Sequence, residues 1–342
     1  MNPIAGILLI ALGSIGAASF YVPFKKVKIW AWESYWLSQG VAAWLIAPIL
    51  FAFIFVPKGE LIPIINEAPA SAKLMAMLFG ALWGFGGLTF GLSIRYLGVA
   101  LGQSIALGLC AAFGTLIPPI ISGDNLFSST AGILTIIGVS ITVSGIAVIG
   151  YAGSLKSREM TEEEKKAAVK EFALKKGILI AIFAGVMSAC FNFGFESGKP
   201  IENIALAHGT NPLFQKNPSL IFILLGGFVT NLVYCGYLNI KNNTYKDYFS
   251  VSSTILLNNL FFTFLAGFLW FLQFHFFGMG SSKLPEGMAV FGWSILMALN
   301  IAISNIWGIF LNEWKGVKRK TIIILIIGIL ILILSTFVVK LG

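Results

Sequence analysis

Apolar and polar positions alternate along this chain in long blocks rather than in a helical or strand rhythm. Ten apolar blocks, each near the ~20 residues that cross the hydrocarbon core of a bilayer, occupy residues 4–24, 33–56, 74–96, 99–121, 131–151, 177–197, 219–238, 254–277, 288–311 and 321–339. They predict an all-α polytopic membrane protein of ten transmembrane helices. The third and fourth are joined by a tight turn at Arg95–Gly98. In the third, Gly80, Gly84, Gly87 and Gly91 follow at steps of four and three, which places them on one helix face and lets a neighbouring backbone or a ligand come close. Trp83 stands among them.

The chain echoes itself. Gly80, Trp83, Phe90 and Gly91 recur as Gly267, Trp270, Phe277 and Gly278 at a constant offset of 187. Gly6, Ile7, Leu8, Ala18, Phe20 and Phe24 recur as Gly177, Ile178, Leu179, Ala189, Phe191 and Phe195 at an offset of 171. These echoes predict two halves, residues 1–153 and 177–342, tied by a polar linker at 154–176. Thr161 ahead of Glu162–Glu164 reads as the start of a short surface helix in that linker.

Composition sharpens the class. Hydrophobic residues make up 57% of the 342 positions and charged residues only 11%, against the quarter or so of soluble chains. This is not a soluble enzyme. The net charge of +9 belongs to lysines flanking membrane segments rather than to a nucleic-acid surface. Lys and Arg number 17 at the first, third, fifth, seventh and ninth connections and 6 elsewhere, counting Arg95 at the third. By the positive-inside rule the richer side is cytoplasmic and both termini face outward. Three basic residues after the first segment and none before it are the wrong flanks for a cleaved signal peptide.

Five segments per half is an odd number, so the halves enter the bilayer from opposite sides. That is an inverted-topology repeat, the plan of many secondary transporters, with a site near mid-membrane and alternating access by rocking. No Walker motif points to ATP hydrolysis. Cys110, Cys190 and Cys235 lie in separate apolar segments and suggest neither disulfides nor a metal. Asp124, Asp247 and the linker glutamates do not cluster as a membrane enzyme would require. No cofactor or metal is called for.

The stretches FYVPFKKVKIWAWESYW, WGFGGLTFGLSIRYLGVALG, LWFLQFHFFGMGSSKLP and FLNEWKG, with the paired Pro118 and Pro119, resemble the L-rhamnose:proton symporter family of the ten-helix drug/metabolite transporter superfamily. The resemblance runs over nearly the whole chain. It implies proton-coupled uptake of L-rhamnose across the bacterial inner membrane, with periplasmic termini. Matching positions include Trp83, Arg95, Trp270 and Gln273; Glu196 and His275 are not carried over from the family.

The residues suit a neutral sugar, whose hydroxyls need donors and acceptors and whose ring offers an apolar face. Asn192, Gln273 and Asn300 supply amides that both donate and accept, and Trp83 and Trp270 supply flat surfaces. The competing reading for each is helix packing. For the coupled proton, Glu196 and His275 are the titratable candidates nearest the expected cavity, with Lys199 three residues past Glu196 able to pair with it at the surface. A drug or metabolite exporter of the same superfamily is the alternative function.

Overall fold

The computed structural model describes residues 2–121, 123, 125–159, 173–285, 287–310 and 314–341. The side chains of 95, 98–101, 103, 174 and 339 lie outside that description, as do the expected linker helix and residues 311–313 of the FLNEWKG stretch. Among the described residues ten helices are long and apolar enough to cross a membrane: α1 Pro3–Phe24, α2 Trp32–Phe55, α3 Ala70–Ile94, α4 Ser104–Ile121, α5 Thr130–Glu159, α6 Lys175–Ala207, α7 Pro212–Lys241, α8 Ser253–Ser281, α9 Ala289–Phe310 and α10 Arg319–Val338. No strand occurs among them.

Helical backbone continues from α3 into α4, yet the chain reverses there. A Cβ on Gly102 would lie 2.9 Å from the carbonyl of Ser93. Residues nine apart in a straight helix stand about 13.5 Å apart at 1.5 Å per residue. The bend therefore falls where a tight turn is expected. α6 continues to Ala207, about ten residues past its expected end, so part of the expected outer loop is helix.

The helices gather into two compact units that are partitions of packing rather than of sequence. One comprises residues 12–84 and 193–279, the other 1–11, 85–192 and 280–342, so each takes pieces of both sequence halves. In the first unit α3 and α7 cross with backbones touching: a Cβ on Gly80 would run into the carbonyl of Ile223, and one on Gly226 into that of Met77. Gly84 continues this seam, where an added Cβ would stand 2.8 Å from Thr230. Gly87 and Gly91, on the same stripe, have open space where a Cβ would stand.

α2 begins after Ala31, a residue with no capping side chain. Asp247 supplies the cap from the α7–α8 connection, accepting from the Ala31 N–H at 2.8 Å and the Ser34 hydroxyl at 2.7 Å. Midway, Val41–Ile46 opens into a π-turn ahead of Pro48, which has no N–H to continue the α ladder.

In the second unit, α5, α9 and α10 are packed through small residues. Gly138 receives the ring of Phe291, Gly145 the side chain of Leu332 and Gly328 that of Ile149, each so closely that an added Cβ would clash. Thr142 donates to Ser335 at 3.0 Å. The three cysteines are free and buried.

Candidate functional site

Four tryptophans of the 12–84/193–279 unit meet around Trp44. Its ring centroid lies 6.0 Å from Trp36, 6.0 Å from Trp83 and 5.8 Å from Trp270, each contact edge-to-face, while Trp83 and Trp270 lie 5.5 Å apart. Such separations and angles are the favourable ones for aromatic quadrupoles. Trp44 is buried and the other three are half-buried, so they keep ring surface uncovered.

Local sequence sets each ring. On α2, Trp36 and Gln39 are three residues apart and so share a face; the π-turn, with its i→i+5 spacing, brings Trp44 back beneath them. Gly40 makes this possible, since a Cβ there would stand 2.5 Å from the Trp44 ring. On α3, Trp83 lies over Gly227 of α7, where a Cβ would run into the indole. Thr230 pins the same seam by donating to the Ala81 carbonyl at 2.9 Å. On α8, Gly267 packs so closely on α2 that an added Cβ would stand 2.7 Å from the Gln39 carbonyl, and Trp270 follows one turn later. Trp36 donates its indole N–H to Asn231 at 3.0 Å, and Asn231 donates to the Gly227 carbonyl at 2.8 Å.

The cluster contains orphaned polar atoms. Both amide atoms of Gln39, a residue 1% exposed, and the indole N–H of Trp44 find no hydrogen-bond partner among the described residues. An unsatisfied buried group costs about 1–3 kcal/mol. Aromatic faces beside unfulfilled donors and an acceptor match a ligand that carries hydroxyls on an apolar ring.

The structure brings together Trp83, Trp270 and Gln273 of the expected site. Gln273 is buried, donates to the Trp270 carbonyl at 3.0 Å, and has its backbone 2.9 Å from a Cβ placed on Gly13. Asn192 and Asn300 fall in the other unit. Asn192 donates to the Gly114 carbonyl of α4 at 2.7 Å. That carbonyl has no partner of its own in the helix, because Pro118 four residues on lacks an N–H. The amide N–H of Asn192 thus serves the α4 backbone. Asn300 is half-buried on α9.

Of the two proton candidates, Glu196 forms an ion pair with Lys199 on the same helix. With Lys199 56% exposed, this is the surface pairing. His275 is buried and donates from Nδ1 to the Asn217 side-chain oxygen at 3.0 Å. Phe214 stacks on its ring at 5.8 Å, and Phe51 meets it edge-on at 4.7 Å.

A model of the L-rhamnose-proton symport protein family matches residues 2–342. The chain belongs to that family. It is 37% identical over 343 residues to proteins named L-rhamnose-proton symporter from Yersinia pestis (strain Pestoides F) and Yersinia pseudotuberculosis serotype O:1b (strain IP 31758), covering 99% of this chain and 98% of each relative.

In this member of the L-rhamnose-proton symport family, sequence reasoning missed three groupings. Trp36 carries no local signal of a site, and nothing local announces the π-turn that aims Trp44. Glu202 and Lys216 form a buried ion pair at 3.0 Å, with Ser219 donating to Glu202 at 3.4 Å. His208 joins Glu60 at 2.7 Å and Glu67 at 2.8 Å. Both acidic partners sit more than a hundred residues away in sequence, at the ends of the short helix Leu61–Glu67.

Proposed function

We propose that this chain carries L-rhamnose into the bacterial cytoplasm across the inner membrane together with a proton. It does so by alternating access between two inverted five-helix repeats, residues 1–153 and 177–342, joined by a cytoplasmic linker at 154–176. Both termini are periplasmic. The 17-to-6 division of basic residues supports that orientation, the two sequence echoes support the repeat, and the resemblance of the quoted stretches supports the placement in the drug/metabolite transporter superfamily. Membership in the symport family and the printed names of the Yersinia relatives support the substrate pair.

One observation carries the sugar-binding reading: the tryptophan cluster includes the Trp44 indole N–H, and the same helix carries the buried Gln39 amide, and both lack partners among the described residues. L-Rhamnose fits that chemistry. Its C6 methyl and ring hydrogens pack on Trp83 and Trp270, and its hydroxyls pair with Gln39, Gln273 and the Trp44 N–H. Asn192 holds α4 in shape through the Gly114 carbonyl.

The test is a binding panel on the purified full chain. L-Rhamnose is expected to quench tryptophan fluorescence saturably and to compete with other 6-deoxy sugars more than with their 6-hydroxy counterparts. Lipophilic cationic dyes that bind while rhamnose does not would overturn the reading in favour of a drug or metabolite exporter.

A further inference from the structure

We infer that Glu202, held by Lys216, is the group that carries the coupled proton. The inference rests on the symport reading above and names a residue that reading leaves open.

A proton carrier inside a membrane protein must titrate and must be shielded from water in at least one state. Among the described residues the buried carboxylates are Glu33 and Glu202, and the buried histidine is His275. Glu33 is held by neutral donors, Asn242 at 2.9 Å and Thr244 at 2.8 Å, at the very start of α2. Glu202 is 4% exposed and takes both carboxylate oxygens to Lys216, at 3.2 Å and 3.0 Å. The Lys216 chain lies against Gly278 of α8, where an added Cβ would stand 3.2 Å from it, and its ammonium stands 5.0 Å from the Phe195 ring centroid. Asn217, the next residue, holds His275. Two of the three buried titratable groups therefore meet at the start of α7.

The surrounding charges are otherwise engaged. On α6 itself Glu196 pairs with Lys199. Ile201 and Ala205 pack on the segment carrying Ile64, Ala68 and Ala72. There Glu60 and Glu67 are taken by His208, and Lys73 donates to the Ile65 carbonyl at 2.9 Å. Nothing but Lys216 neutralises Glu202 among the described groups.

A buried ion pair is stable only while both charges are present, and removing one exposes the other to a large desolvation penalty. That makes the pair a switch. Hydronium gives its proton to the Glu202 carboxylate, leaving water and a neutral carboxyl, and the Lys216 ammonium loses its counter-charge. The element bearing Lys216 then favours a state in which the ammonium is hydrated. On the opposite side the carboxyl returns the proton to water and the pair reforms. The same neighbourhood leads to the sugar cluster through ring contacts: Lys216 over Phe195, Phe195 to Phe274 at 6.4 Å, and Phe274 to Trp270 at 5.1 Å.

The experiment uses the full chain in proteoliposomes with labelled L-rhamnose, measuring exchange at equal pH and accumulation driven by an acid-outside gradient. If the unaltered chain fails to accumulate, the symport reading falls whatever Glu202 does. Given that control, the double variant E202Q/K216M removes both charges and leaves neither unpaired. It is expected to keep exchange within about threefold of the unaltered chain while its accumulation ratio drops to about one; E202D keeps accumulation. Accumulation retained by the double variant, or exchange and accumulation lost together, overturns the inference. In the unaltered chain, a hydrophobic carbodiimide, which adds to protonated carboxyls, is expected to label Glu202. Labelling that never reaches Glu202 overturns it equally.

Discussion

Gln39→Leu separates a ligand-binding amide from a structural one. Gln39 is 1% exposed and neither of its amide atoms is paired among the described residues. If those atoms wait for sugar hydroxyls, the amide is a burden to the sugar-free protein. Leucine nearly matches glutamine in volume and carries no polar atom. Removing an unsatisfied buried amide should therefore stabilise the sugar-free chain by about 1–3 kcal/mol. The same change deletes hydrogen bonds in the complex and should weaken L-rhamnose binding by roughly 5- to 150-fold, at tenfold per 1.4 kcal/mol. The two effects have opposite signs. Thermal unfolding of the detergent-solubilised protein without sugar reads the first, and calorimetric titration with L-rhamnose reads the second. A variant that melts lower and binds rhamnose unchanged would refute the assignment, because it would make Gln39 a packing residue.

Gly226→Ala drives a methyl into the Met77 carbonyl at the α3–α7 crossing and should cost about 1–3 kcal/mol in thermal unfolding; an unchanged melt would mean the helices separate freely. Asn192→Leu leaves the Gly114 carbonyl without its donor and should lower stability by about 1–3 kcal/mol with rhamnose affinity held; affinity lost with stability intact would return Asn192 to the sugar. The hydrogen bonds that His208 donates to the Glu60 and Glu67 carboxylates raise its pKa above the ordinary 6.5. Because the protonated form is the one favoured, the clasp is complete below pH 6.5 and is lost as pH rises through the raised value. Hydrogen exchange of Leu61–Glu67, corrected for intrinsic rates, should accordingly lose protection with rising pH in the unaltered chain and be insensitive to pH in His208→Phe; a flat profile in the unaltered chain would contradict this.

The ten helices were legible because span length is fixed by bilayer thickness, and only their ends moved, as with α6 running on to Ala207. The echo at an offset of 187 drew attention to Trp83 and Trp270 together; the structure sets their rings 5.5 Å apart. Trp44 was not, since its aim depends on a π-turn that arises from Gly40, Pro48 and the packing of Gly267 together. Paired prolines signalled that α4 would carry free carbonyls, but the donor that repairs one of them, Asn192, lies 78 residues away. An amide in an apolar helix looks the same whether it faces a ligand or a neighbour's backbone. Glu202 and Lys216 sit in a stretch that reads as a surface loop, and only the fold shows that α6 and α7 bury them against each other.

Coupled transport is read by a single uptake experiment. Proteoliposomes holding the unaltered chain are loaded at neutral pH and diluted into acidic medium containing labelled L-rhamnose. The sugar should accumulate above the outside concentration, with accumulation abolished by a protonophore and absent for the same vesicles at equal pH. Uptake that stops at the outside concentration whatever the pH gradient would contradict coupled transport.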